Sequence, residues 1–109
     1  IILAVEPADF RKGIDGLSQI SKSVLRSDPF SGHLFVFMNK RRTAIKMLVY
    51  DGQGFWLFQK RLSKGRFKWW PNKNGKREIR LLVHELQLLM WNGNPQSAQT
   101  APFWKKIPS

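Results

Sequence analysis

The chain opens with a short apolar run, Ile1 to Val5, that stops at Glu6-Pro7 and reads as a strand ended by the proline. Asp9 then predicts a helix N-cap, because its carboxylate can accept from the exposed amides of a first turn. Phe10, Ile14, Leu17, Ile20/Ser21 and Val24 follow at spacings of three and four, one apolar stripe of a helix running from Asp9 to Arg26. Arg11, Lys12, Asp15, Gln19, Lys22 and Arg26 fall on the opposite face. Gly13 and Gly16 lie inside this helix, where each costs about 1 kcal/mol against alanine. That cost points to a close approach of the helix to the sheet.

Ser27 to Gly32 is a turn cluster, and the pattern then changes period. Leu34 to Met38 is apolar on both faces, as a central strand requires. Asn39-Lys40-Arg41-Arg42-Thr43 makes a cationic hairpin tip. In the next strand Ile45, Met47 and Val49 alternate with Lys46, Leu48 and Tyr50. Asp51-Gly52-Gln53-Gly54 is a turn whose glycines can take positive φ. Phe55 to Leu62 is a third strand, with Phe55, Leu57, Gln59 and Arg61 on one face and Trp56, Phe58 and Lys60 on the other. Ser63-Lys64-Gly65 turns the chain, and Arg66 to Trp70 predicts a fourth short strand. Trp69 and Trp70 are adjacent, so at most one of them need be buried. The stretch 33–70 is thus an antiparallel meander. After the polar loop 72–77, Glu78 to Leu81 reads as a strand. Leu82, Val83, Leu86, Leu89 and Met90 mark a second, shorter helix closed by Asn92-Gly93.

The pattern predicts one α+β domain over residues 1–93: a mostly antiparallel sheet of about five strands, packed by one long and one shorter helix. The small polar stretch beyond it, 94–109, is expected to be a flexible tail, with Phe103-Trp104 as a docking anchor near its end. The chain begins at Ile1 rather than a methionine, which implies residues ahead of it, and the IILAV opening is too short for a signal peptide.

Charge changes the picture. The 19 Lys and Arg against 7 Asp and Glu give a formal net charge of +12, and it is not evenly spread. Residues 1–34 are neutral, residues 78–109 contribute +1, and residues 35–77 hold twelve basic side chains against Asp51 alone, giving +11. Such clustering makes a polyanion the leading partner class, over the plainer role of solubilising a sheet and guarding its edges. With no cysteine, disulfides and thiolate metal sites are absent and a cytoplasmic address is compatible. No apolar run reaches the roughly 20 residues of a membrane span.

Catalytic chemistry finds little support. A nuclease needs carboxylates that converge on divalent cations. Here Asp9 serves as a cap, Asp28 and Asp51 stand in turns, Glu78 and Glu85 fall near a helix start, and no pair alternates on one strand. No G-x-S-x-G elbow or dinucleotide fingerprint occurs, and neither His33 nor His84 has the setting of a base. No cofactor, metal or small-molecule substrate is expected. The positive signal is cations interleaved with aromatics: lysine and arginine can neutralise phosphates while exposed rings stack on bases. The candidate nucleic-acid contacts are Lys40, Arg41, Arg42, Arg61, Lys64, Arg66 and Lys68. A phosphate contact at Arg11 and Lys12 in the first helical turn is a further candidate, although Asp9 would compete for the same amides. Trp56, Phe58 and Trp69 are expected to be ordinary core.

These residues also carry a resemblance. Asp9 to Leu17 (DFRKGIDGL), the long stretch Asp28 to Pro71, and more loosely Leu86 to Gly93 (LQLLMWNG) resemble the TnpB-type accessory proteins encoded by the small second reading frame of a bacterial insertion-sequence class, unrelated to the RNA-guided nucleases of the same label. Met38 stands where a basic residue is common in that family. The resemblance implies a role in transposition beside a separate transposase and a second small accessory protein, and brings no catalytic residues with it. The expected function is a non-enzymatic accessory factor that binds DNA at transposon ends through the basic meander surface. The alternative is a protein–protein adaptor that docks on the transposase without touching DNA.

Overall fold

A computed structural model of the chain describes residues 1–71 and 75–93. Five strands, β1 (Ile2–Ala4), β2 (Phe35–Met38), β3 (Ala44–Tyr50), β4 (Phe55–Arg61) and β5 (Glu78–Arg80), form one sheet in the order β4-β3-β2-β1-β5. β1 runs parallel to β2, with Ile2 opposite Phe35, and every other neighbouring pair is antiparallel. The helices are α1 (Ile14–Ser23) and α2 (Val83–Met90). The α+β class, the mostly antiparallel sheet and the two helices are as the sequence pattern predicts. The expected tail, 94–109, lies outside the described residues.

Alternation in the strands builds two cores, one on each face. Ile2 and Ala4, Phe35 and Phe37, and Leu48 face α1, where they meet Leu17 and Leu25, with Ile14 and Ile20 packed alongside. Leu3, Val36, Met38, Ile45 and Met47 face the other way, toward Leu86 and Leu89 of α2. The residues of β1 and β2 are all buried, because both strands are flanked by neighbours in the sheet and covered on both sides.

Three expectations are corrected. First, α1 does not start at Asp9: the helix begins at Ile14 with Gly13 as its cap and ends at Ser23. Asp9 instead closes a local turn, accepting from the Arg11 amide at 3.0 Å. Lys46, 8% exposed, donates its Nζ to the carbonyls of Phe10 and Lys12 at 3.0 and 3.2 Å. A contact from a distant strand thus fixes the segment ahead of the helix. At the other end Val24 is exposed and Leu25 turns inward in its place. The glycines do not mark a close helix–sheet contact either: a Cβ at Gly13 would meet nothing within 4 Å, and the nearest atoms to one at Gly16 belong to the Lys12 side chain.

Second, no strand forms over Arg66 to Trp70. Its backbone groups bond elsewhere: the Phe67 amide to the Arg42 carbonyl at 2.8 Å, the Lys68 amide to Asn92 Oδ1 at 2.7 Å, and the Arg66 carbonyl to Asn92 Nδ2 at 3.1 Å. The segment crosses the α2 side of the sheet as a strap. Phe67 and Trp70 are buried beneath it, with Trp69 partly packed against the same core, and the Trp70 indole donates to the Val5 carbonyl at 3.1 Å. One of the two adjacent tryptophans is therefore the buried one. Third, in α2 the first-turn residues Leu82 and Val83 are exposed, and Leu88 joins Leu86 and Leu89 inside. The Glu85 carboxylate accepts from the Leu82 amide at 2.8 Å and holds this first turn. Asn92, at φ 63, ends the helix, and the Gly93 amide returns to the Leu88 carbonyl at 2.7 Å.

Candidate nucleic-acid interface

The strand directions concentrate the charge. β1 and β2 end, β3 begins, β4 ends and β5 begins at the same end of the sheet. Lys40, Arg41 and Arg42 form the exposed β2–β3 tip there, and Arg61 stands beside it, opposite Ala44 in the ladder. Backbone bonds from Leu62 to Thr43 (2.9 Å) and from Phe67 to Arg42 (2.8 Å) lay the next turn against that tip. Exposed Lys64, Arg66 and Lys68 are carried with it. All seven residues expected to contact nucleic acid thus share one end of the molecule.

The tip owes its shape to Asn39. Its side-chain oxygen accepts from the amides of Thr43 and Ala44 at 2.9 and 3.1 Å, and its Nδ2 donates to the Thr43 hydroxyl at 2.8 Å. Arg42 takes φ 61, the left-handed conformation that closes such a turn and that a non-glycine residue adopts only at a cost. The connection after β1 faces the tip across a cleft lined by Glu6, Pro7, Ala8, Asp9, Phe10, Asn39, Lys40 and Arg41. The Ala8 amide bonds the Met38 carbonyl at 2.9 Å and pins one wall of this cleft to the sheet.

Arg11 and Lys12 belong to that connection, ahead of α1 and not in its first turn. Arg11 folds back on Asp9, its guanidinium nitrogens 2.9 to 3.2 Å from the carboxylate. These bonds lower the Asp9 pKa from 3.8 to about 2 and raise that of Arg11. Arg11 therefore carries its own counter-ion, whereas Lys12 is exposed beside it. Lys46, one of the cations in the basic stretch, is buried under Phe10 and adds nothing to the outer face.

Two more cations lie at the same end. Lys76 and Arg77 are exposed immediately before β5, and the Arg77 carbonyl accepts from the Val5 amide at 3.0 Å. Sequence reasoning counted them as charge but not as site residues. The signal that would have found them is the pairing of β5 with β1, which turns the start of β5 toward the basic tip.

The expectation that Trp56 and Phe58 are core is overturned. They are 55% and 46% exposed on β4, with parallel rings 6.0 Å apart. β4 is the outermost strand on its side of the sheet, and α2 reaches across only as far as Lys60, whose amino group bonds the Met90 carbonyl. Among the described residues nothing covers the two rings. The Trp56 indole donates to Asp51 Oδ2 at 2.7 Å, while Asp51 Oδ1 accepts from the Gln53 and Gly54 amides at 2.9 and 3.0 Å. Those three donors hold the Asp51 carboxyl below its ordinary pKa.

Among the described residues no three His, Asp or Glu side chains gather where they could hold a metal ion. No helix among them is long and apolar enough to cross a membrane. The family described as IS66 Orf2 like protein matches residues 1–100. The chain belongs to the IS66 Orf2-like family. It is 40% identical over 90 residues to the uncharacterized protein y4jC of Sinorhizobium fredii, a match covering 83% of this chain and 75% of that one. It is also 40% identical over 73 residues to y4hO of the same organism, covering 67% of this chain and 63% of the relative. No solved structure matches. As a member of the IS66 Orf2-like family the chain is an accessory product of an IS66-type insertion sequence, which agrees with the resemblance carried by its sequence motifs.

Proposed function

We propose that this IS66 Orf2-like protein is a non-enzymatic factor of transposition that binds DNA, at the ends of its element, through the basic end of its sheet. The observation that carries the reading is the convergence of Lys40, Arg41, Arg42, Arg61, Lys64, Arg66 and Lys68 with Lys76 and Arg77. Three segments contribute to it: the β2–β3 tip, the end of β4 with the turn and strap after it, and the residues before β5. Backbone bonds join the first two to each other and the third to Val5. Phosphate contacts made from several loops of a rigid sheet fix a register on a backbone and need no base-reading helix. A non-catalytic role is supported by the occupation of four of the seven acids: Asp9 pairs with Arg11, Asp51 and Asp28 accept backbone amides in turns, and Glu85 caps α2.

Titrating salt in a binding assay on duplex and single-stranded DNA tests the proposal. Contacts with six or more phosphates predict that affinity falls by about 10³-fold or more between roughly 50 and 200 mM salt. Replacing Arg41, Arg42, Arg66 and Lys68 with serine flattens that slope and leaves the fold intact. A dissociation constant weaker than about 10⁻⁴ M at low salt, or no salt slope, sinks the DNA-binding reading.

A second reading has one observation in its favour. Leu82 and Val83 are exposed side by side at the start of α2, an apolar patch that a partner protein could cover. In that reading the protein is an adaptor for the transposase or for a second small product of the element. Co-purification with the transposase that survives nuclease treatment and is lost in Leu82→Ser/Val83→Ser supports it.

A further inference from the structure

We propose that Trp56 and Phe58 are a stacking platform for the bases of single-stranded DNA, an inference that rests on the DNA-binding reading and names the form of DNA this face takes. Large aromatic side chains on a sheet are ordinarily buried, because covering their area is the main gain of folding. Here two neighbours on one face of β4 are left open, 55% and 46% exposed, and their rings lie within 5° of parallel at 6.0 Å. Residues two apart on a strand point the same way, so the rings stand in a row along β4.

The row leads to the charge. Lys60 is the next residue on that face, and Arg61, Lys64, Arg66 and Lys68 follow at the basic end of the sheet. A single strand whose phosphates lie on those cations can run along β4 and set successive bases on Phe58 and Trp56. Duplex DNA cannot, since its bases are already stacked on each other. Cations beside open rings are the arrangement that holds single strands without reading sequence. They also decide the occupant: a polyanion with exposed π faces complements a row of rings that ends in cations, and an apolar protein surface does not.

Asp51 stands at the far end of the row, away from the cations on which the phosphates lie. Its carboxylate is occupied by the Trp56 indole and the Gln53 and Gly54 amides. It acts as a positioning residue that fixes the turn of the indole, so that the ring is preset before a base arrives.

The test uses the whole chain, a fluorescein-labelled oligothymidylate and a duplex of equal length. Trp56→Ala/Phe58→Ala is expected to weaken oligothymidylate binding by about tenfold or more. Its salt slope and its duplex affinity stay unchanged, because the cations remain. Trp56→Phe keeps a ring and most of the affinity, but lowers the tryptophan quenching that oligothymidylate produces in the parent protein by the share of Trp56, one of five tryptophans. This conservative variant decides the matter if the double variant does not fold.

An equal fall on single strand and duplex, or no fall on either, overturns the platform and leaves DNA binding standing. Unaltered quenching in Trp56→Phe overturns it as well. Failure of the parent protein to bind either DNA overturns the DNA-binding reading and the platform with it. A dimer seen by sedimentation in the parent protein and lost in the double variant, with oligothymidylate affinity untouched, assigns the rings to self-association through the β4 edge and overturns the platform too.

Discussion

The Nζ of Lys46 lies 3.0 Å from the carbonyl oxygen of Phe10 and 5.0 Å from the centre of the Phe10 ring. A second carbonyl, that of Lys12, completes its setting at 3.2 Å. The ammonium group bridges the middle of the sheet to the segment that precedes α1. Hydrogen bonds to a charged group contribute about 1.5–3 kcal/mol each. Lys46→Met keeps the stem and removes the donors, so it is expected to lower the unfolding free energy by about 1.5–3 kcal/mol. Urea denaturation with an unchanged m-value measures this. DNA affinity should not change, since Lys46 is buried; a tenfold loss in the folded variant would contradict the placement of the interface.

Arg42 separates stability from binding in the opposite sense. Its φ of 61 suits glycine, and its side chain is exposed at the tip. Arg42→Gly relieves the backbone and removes one phosphate contact. Stability is expected to hold or rise by up to about 1 kcal/mol, while the magnitude of the salt slope drops by about 0.9 for the lost contact. Thermal unfolding beside a salt titration reads both, and a clear fall in melting temperature would show that the guanidinium packs against the tip.

Acid titration isolates the Asp9–Arg11 pair. The folded carboxyl has its pKa lowered from 3.8 to about 2 by the guanidinium and amide of Arg11. A depressed carboxyl binds its proton less readily in the folded state than in the unfolded one. Its contribution is therefore present above about pH 4 and lost as the pH falls through about 2. Both side chains are solvent-exposed, so the effect is small and screened by salt. The difference in urea midpoint between the parent protein and Asp9→Asn should shrink between about pH 5 and about pH 2 at low salt. A constant difference over that range would mean that the pair does nothing for stability.

Much of this structure is legible in the sequence where period and turn chemistry act locally. Alternation from Leu34 to Leu62 sets three strands, Gly52 takes its positive φ at 99, and Asn92-Gly93 ends α2. The misses are long-range. Asp9 looks like a cap because its residue type serves helices and turns alike; the segment after it is instead held to the sheet by Lys46, more than thirty positions away. The pattern in β4 separates Trp56 and Phe58 from Phe55 and Leu57, but not which pair is covered. That depends on the strand order and on the reach of an eight-residue α2. The strap over Phe67 and Trp70 is sequence-rich in strand formers, yet its amides are claimed by Arg42 and Asn92. The candidate site follows the same division. The charged tips are visible as runs, whereas the contribution of Lys76 and Arg77 awaited the pairing of β5.

The place of β1 between β2 and β5 bears on how the molecule is made. The meander β2-β3-β4 closes through short turns, but Ile2 must find both Phe35 and Arg80. Such distant pairings form slowly, because long loops must close before they gain contacts. On the ribosome one edge of the first strand therefore waits for the last. A polypeptide released before Glu78 would present the bare edge of β1, with Ile2 and Leu3 that are fully enclosed in the finished sheet. Truncated translation products should accordingly aggregate or be degraded rather than linger as partly active fragments, which ties the presence of the DNA-facing end to completion of the chain through β5.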